Sequence, residues 1–170
     1  MRQLLFIFLF SVCALFSQAQ RYALIDTRYI LDKLPDYKSA NKKIEEIAEA
    51  WQQEIDLMQA DLDKMYRELE VERAMLTPEL LKKREDEIYN KEKQVRDLQK
   101  KRFGYEGDYF KKKQELVKPI QDKVYNAVQK LASEKMYDFV LDKSEGITII
   151  FADPKLDKSD DVLKILGIKL

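Results

Sequence analysis

The sequence predicts an α+β protein, in which a long antiparallel helical coiled-coil hairpin projects from a small β-body that oligomerisation completes. Three observations carry that expectation. Between Ile44 and Leu69 apolar residues recur at steps of three and four, the spacing of one helix face. Thr77-Pro78 interrupts the pattern where 38 residues, Ser39 to Leu76, lie before it and room for as many lies after it. Short runs rich in β-branched and aromatic residues flank the helical region on both sides. Composition agrees. Of 170 residues 36% are charged and 45% hydrophobic, with only four Gly and four Pro, which disfavours both an all-β chain and a disordered one.

The chain opens with Arg2 and the apolar run Leu4 to Phe16, followed by Ser17-Gln18-Ala19-Gln20. A basic start, a short apolar stretch and small residues at the −3 and −1 positions describe a secretory signal peptide cut after Ala19. Such a run spans roughly 20 Å as a helix, short of the roughly 30 Å of a bilayer core, so a retained anchor is the weaker reading. Cys13 lies inside the run behind Val12 and makes a poor lipoprotein cleavage site. Removal of residues 1–19 would leave 151 residues without cysteine, an exported chain that depends on packing or assembly rather than on disulfides.

Tyr22 to Ile25 (YALI) reads as a short buried strand, and Thr27 is placed to cap a helical turn that stops at Leu34-Pro35. From Ser39 the stripe Ile44, Ile47, Trp51, Ile55, Met58, Leu62, Met65, Leu69 forms a coiled-coil seam, stretched around Trp51–Met58 toward an eleven-residue repeat. It resumes at Leu81, Ile88, Val95 and Leu98, with Lys91 and Arg102 at expected seam positions, so the seam is loose. Thr77-Pro78-Glu79 is a good helix restart. Folding back there gives arms of roughly 57 Å and pairs Leu69 with Ile88, Leu62 with Val95, Met58 with Leu98, and Ile47 with Phe110. Charge favours the same arrangement: residues 39–76 carry net −5 and residues 79–118 net +4, although each exposed pair contributes little. One straight helix kinked at Pro78 is the weaker alternative. Gly104 and Gly107 would each cost about 1 kcal/mol inside a helix. They form either a hinge or, as the hairpin register favours, a space for Trp51 opposite Gly104.

After about Lys135, Tyr137 to Leu141 (YDFVL) and Ile147 to Phe151 (ITIIF) are expected as strands joined through Lys143-Ser144-Glu145-Gly146, a hairpin. Ser159-Asp160-Asp161 opens a last short helix that Gly167 ends. The expected organisation is therefore a signal peptide at 1–19, a head formed by 20–37 and 119–170, and an arm at 38–118 with its tip near 76–79. About three short strands make a sheet with exposed edges and a thin core, which sharing strands between subunits would close.

Several chemistries are excluded. With no His and one Cys there is no zinc finger, His-based proton relay or Cys–His nucleophile. No paired acids sit in a recognisable cleft and no phosphate loop is present, and Glu85-Asp86-Glu87 reads as a solvated helix face. The expectation is a protein that is not an enzyme, with no catalytic residue, metal site or cofactor. Equal numbers of basic and acidic residues, 31 each, give no basic excess for nucleic acid.

The signal peptide, the YALID strand, the helical hairpin and the closing segments YDFVLD, ITIIFAD and DKSDDVLKIL together resemble the Skp/OmpH family of periplasmic chaperones. The resemblance covers essentially the whole mature chain, most clearly at Tyr22–Asp26, Val117–Asp142 and Ser159–Leu166. It implies a homotrimer whose subunits share strands in a central β-body and enclose a cavity between three helical arms. It further implies an ATP-independent holdase, located in the periplasm, that binds unfolded outer-membrane proteins. The best-known members are strongly basic, which suits capture of acidic clients and lipopolysaccharide, whereas this chain is near neutral.

A holdase needs adaptable contacts, and flexible thioethers and amphipathic aromatics supply them. The candidates for client binding are Met58, Met65, Tyr66, Met75, Tyr89, Phe103, Tyr105, Tyr109 and Phe110. Seam packing competes with client contact at Met58, Met65 and Phe110, while Tyr66, Met75 and Tyr89 lie near the tip and off the stripe. Lys100, Lys101, Arg102, Lys111, Lys112 and Lys113 form a candidate patch for anionic lipid or lipopolysaccharide, or else a solvated face balancing the acidic arm. The alternative function is a periplasmic structural or adaptor protein that binds a specific envelope partner.

Overall fold

A computed structural model describes residues 21–144, 146 and 148–169. The expected signal peptide lies outside the described residues, as does Ile147 of the expected second hairpin strand. In chain order the elements are β1 (Tyr22–Ile25), α1 (Thr27–Lys33), α2 (Pro35–Glu72), α3 (Pro78–Phe103), α4 (Asp108–Lys135), β2 (Phe139–Asp142), a 3-10 turn at Pro154–Leu156, and α5 (Ser159–Ile165). They divide into two compact units, one formed by residues up to 33 and from 123 onward, the other by Leu34–Asp122.

In the first unit β1 is central. Ala23, Leu24 and Ile25 are all buried, so the strand is covered on both faces and reads as a continuous apolar run. β2 pairs with it in parallel, Tyr22 opposite Phe139 through Ile25 opposite Asp142. Parallel neighbours need a long crossover, and here everything from α1 to α4 supplies it. On the other edge Leu24 bridges to Asp157, and Lys158 donates its amide to the Leu24 carbonyl at 2.8 Å. Ile30 of α1 and Val162 and Leu163 of α5 are fully buried where the two helices meet. Leu131, Val124 and Ala127 on one face of α4 are also buried.

Two helices here end in the same six-residue motif. Tyr137 donates to the Ala132 carbonyl and Met136 to Ser133, with Met136 left-handed at φ 52. Ile168 donates to Leu163 and Gly167 to Lys164, with Gly167 at φ 81. Glycine meets the requirement without strain, whereas Met136 costs of order 1 kcal/mol.

The second unit is the antiparallel hairpin. Ile55, Leu62, Ile88 and Val95 form its buried cluster, with Met58, Met65, Leu69 and Leu98 packed around them. Polar partners cross between the arms: Glu72 with Arg84 at 3.5 Å, Asp61 with Lys91 at 2.6 Å, and Glu54 with Arg102 at 3.1 Å. Lys91 and Arg102, which loosened the seam on paper, are cross-arm ion-pair partners. Lys91 holds the Asp61 carboxyl below its ordinary value by hydrogen bond and by charge. Thr77 caps α3, accepting from the Leu80 amide at 3.4 Å with Pro78 in the first turn, and the chain reverses there rather than running straight.

Four expectations need correction. The long helix starts at Pro35, not Ser39, because Pro is pre-set for a first turn. The cap of α1 is Asp26, whose carboxylate accepts the Tyr29 amide at 2.9 Å, while the Thr27 hydroxyl is engaged with Asp142 and Ser144. Residues 148–151 form no strand, and β2 pairs with β1 instead of closing a hairpin with ITIIF. Gly104 does not make room for Trp51: α3 stops there, and an added Cβ would lie 2.3 Å from the Lys100 carbonyl oxygen, in its own preceding turn. The return arm is thus two helices, separated at residues 104–107.

Candidate functional site

A pair of helices can bury only one stripe of each, so apolar residues off the Ile55–Val95 stripe stay in solvent. Met75 is 77% exposed and Val71 76%, and both lie with exposed Leu80 within a few residues of the Thr77 turn. Tyr89 and Leu57 are exposed further along α3 and α2. The depression lined by Lys64, Arg67, Glu68, Val71 and Glu72 is shallow and open. The arrangement offers scattered apolar contacts.

The candidate residues separate by environment. Met58 and Met65 pack against the buried cluster. The Tyr66 hydroxyl donates to Glu92, which holds the Glu92 carboxyl below its ordinary value and the phenol above its own, while the Tyr66 ring stays substantially exposed. Met75 and Tyr89 present their side chains to solvent. Phe103 stands edge-on to Trp51 with ring centres 6.4 Å apart, and Tyr109 tilts against Phe103 at 6.1 Å. Tyr105 is 96% exposed and Phe110 about half-exposed. The structure therefore sets Phe103, itself 38% exposed, between Trp51 and Tyr109, and leaves Tyr66, Met75, Tyr89, Tyr105 and Phe110 at the surface.

The basic patch is smaller than its sequence. Arg102 bonds Asp108 at 2.8 Å and Glu54 at 3.1 Å, so its guanidinium is already committed. Lys112 pairs with Glu115 at 2.7 Å on its own helix. Lys100, Lys101, Lys111 and Lys113 are exposed.

The residues missed in the sequence are Leu57, Val71 and Leu80. Their signal is present in the sequence, since each is apolar and falls between the steps of the seam, although none is a thioether or an aromatic. Ile150 and Phe151, expected within a strand, lie outside one and are 97% and 86% exposed.

The first unit holds a cleft of about 560 Å³ lined by Asp26, Tyr29, Lys143, Asp153, Asp157 and Asp160. Its groups largely bond one another. Lys143 pairs with Asp157 at 2.6 Å, Tyr29 donates to Asp160 at 3.0 Å, and Asp157 also accepts the Ser159 amide and hydroxyl. Partial burial opposes the Asp157 charge, yet Lys143 and Ser159 together hold its carboxyl below the ordinary value. These bonds tie α1, the segment after β2, the 3-10 turn and α5 together, which is a structural task. Among the described residues no group of three or more Cys or carboxylate side chains is placed to hold a metal, and no helix is long and apolar enough to cross a membrane.

The profile of one protein family, described as outer membrane protein (OmpH-like), matches residues 21–166. The chaperone protein Skp of Yersinia enterocolitica is 26% identical over 147 residues, 86% of each chain. In three dimensions the chain is similar to the crystal structure of a protein of Caulobacter crescentus CB15 designated an OmpH-like outer membrane chaperone. The TM-score is 0.71 at 13% identity, covering 88% of this chain and 85% of that one.

Proposed function

The chain belongs to the OmpH-like outer membrane protein family, and from that premise we propose that it is a chaperone, specifically an ATP-independent periplasmic holdase. It binds unfolded outer-membrane proteins in a cavity between the helical arms of a homotrimer and keeps them from aggregating. The observation that carries this reading is the set of exposed apolar side chains on the hairpin, Val71, Met75, Leu80 and Tyr89. Thioether and aromatic groups repack around unlike partners, so they favour many sequences over one. Many weak contacts inside a shared cavity raise affinity through effective concentration. Assembly is supported by the exposed Ile150 and Phe151 and by a two-stranded sheet that leaves the β2 edge unpaired among the described residues. Lys100, Lys101, Lys111 and Lys113 supply a local anionic-lipid or lipopolysaccharide contact on a chain with no overall basic charge.

The test is light scattering of a urea-unfolded outer-membrane barrel diluted into stoichiometric trimer. The protein is expected to suppress aggregation, and a Met75→Ser/Tyr89→Ser variant of equal helicity to do so several-fold less well. Failure of the unaltered protein would end the holdase reading. A fully active variant would remove the tip surface from it. Stable co-purification with one folded envelope protein would point instead to an adaptor.

A further inference from the structure

The return arm is interrupted by Gly104-Tyr105-Glu106-Gly107, between the end of α3 and the start of α4. A glycine-bracketed gap in a helix is ordinarily a place to bend freely. Here it is crossed by side-chain contacts from three helices. Arg102, in the last turn of α3, donates through Nη1 to Asp108, the first residue of α4, at 2.8 Å, and through Nη2 to Glu54 of α2 at 3.1 Å. Its guanidinium carbon lies 4.8 Å from the Trp51 ring centre. Phe103 and Tyr109 join the two sides of the gap again through their ring contact, with Trp51 edge-on to Phe103.

The backbone of the gap is tightly wound. A Cβ on Gly107 would lie 2.8 Å from the Lys101 carbonyl oxygen and 2.9 Å from that of Gly104. Glu106 occupies the left-handed region at φ 52 although it is not glycine. Gly107 donates to the Gly104 carbonyl at 2.9 Å, and Lys111 donates to the Gly107 carbonyl at 3.1 Å, so the turn runs directly into α4. A non-glycine residue is held in that conformation only when its surroundings over-determine it.

We propose that residues 104–107 form a fixed elbow latched by Arg102, which sets the direction of residues 108–122 against the α2–α3 hairpin. Arginine suits the task because its planar fork serves two carboxylates while its face stacks on an aromatic ring, and lysine cannot do all three. The Arg102 side chain is 21% and Asp108 27% exposed, so this pair is screened less than a fully exposed one, while Glu54 at 46% stays largely in solvent. Among the described residues its buried Nε has no hydrogen-bond partner. An unmade bond of that kind is unfavourable, and it is tolerated where both Nη groups are held in place.

The latch is tested by electron–electron distance measurement in the full chain, with Cys13→Ser and spin labels at Asp86→Cys and Gln114→Cys, one on each side of the elbow. Labelled chain is diluted with excess unlabelled chain, so that only intrachain pairs report. The parent is expected to give one narrow distance distribution. Arg102→Lys and Asp108→Asn should each broaden it at least twofold at unchanged helical circular dichroism, while Asp61→Asn, which removes an ion pair remote from the elbow, leaves it narrow. A parent distribution already as broad as the variants, or Arg102→Lys and Asp108→Asn distributions as narrow as the parent, overturns the latch. Should Arg102→Lys lose helicity, Asp108→Asn alone decides.

Discussion

Leu62→Ala is the sharpest probe of the hairpin seam. Leu62 is 4% exposed, at the centre of Ile55, Ile88 and Val95 with Met58, Met65, Leu69 and Leu98 around it. The change deletes three buried carbons, worth about 0.8 kcal/mol each in transfer alone. Buried Leu→Ala changes span about 2–5 kcal/mol according to how well the site collapses. A two-helix layer is flanked by flexible Met side chains and solvent, so collapse is easy and the low end, about 2–3 kcal/mol, is expected. With a urea dependence near 2 kcal/mol per molar, the midpoint falls by about 1 M. The measurement is urea unfolding followed by circular dichroism at fixed protein concentration, because assembly adds a mass-action contribution. Hydrogen exchange over residues 55–62 and 88–95 assigns the loss to the hairpin. Met75→Ala is the control: at 77% exposure it should move stability by less than about 0.5 kcal/mol. A Leu62→Ala shift below about 0.3 M, or a Met75→Ala shift as large, would refute the seam as the source of arm stability.

Three further outcomes follow from the head and the elbow. Partial burial works against the Asp142 charge, but the Thr27 hydroxyl, the Ser144 amide and hydroxyl and the Thr27 amide hold its carboxyl below the ordinary value. Its folded pKa is therefore depressed, so its contribution is complete above the unfolded value near 3.9 and is lost as pH falls through the folded one. Asp142→Asn should lower stability at pH 7 and flatten the acid limb of the pH–stability curve, and an unchanged limb counts against this joint. Ile150→Ser/Phe151→Ser should lower the oligomer mass measured by sedimentation at micromolar concentration, and a mass equal to the parent's would remove these residues from the subunit contact. Gly104→Ala should lose about 1–3 kcal/mol in thermal unfolding, since its Cβ meets the Lys100 carbonyl at 2.3 Å and backbone cannot yield cheaply. A more stable variant would show that the elbow straightens without penalty.

The hairpin was legible because helix packing writes itself into local spacing. Leu62, Ile88 and Val95 fell on the predicted stripe, and Thr77-Pro78 marked the reversal. The elbow was misread for an equally local reason: register arithmetic set Gly104 against Trp51, but the atom that forbids its Cβ is the Lys100 carbonyl one turn back. Arg102 looked like one cation among several in a basic run. Only the structure brings Asp108, Glu54 and Trp51 to it. In the same way YDFVL and ITIIF carry strand propensity, which states no partner. Pairing energy resides in neighbours that a strand cannot name.

What this sequence determined alone is its helical arms, their reversal at Thr77-Pro78, the final helix ended at Gly167 and the absence of His-based chemistry. Each rests on backbone bonds four residues apart, on periodicity, or on composition. What only the tertiary structure decided is the parallel union of β1 with β2, more than a hundred residues apart. It also decided the tying of Thr27, Asp142, Asp157 and Ser159 into one head, and the exposure of Ile150 and Phe151. Those depend on which distant groups become neighbours once the arm has folded back, and no local propensity records that.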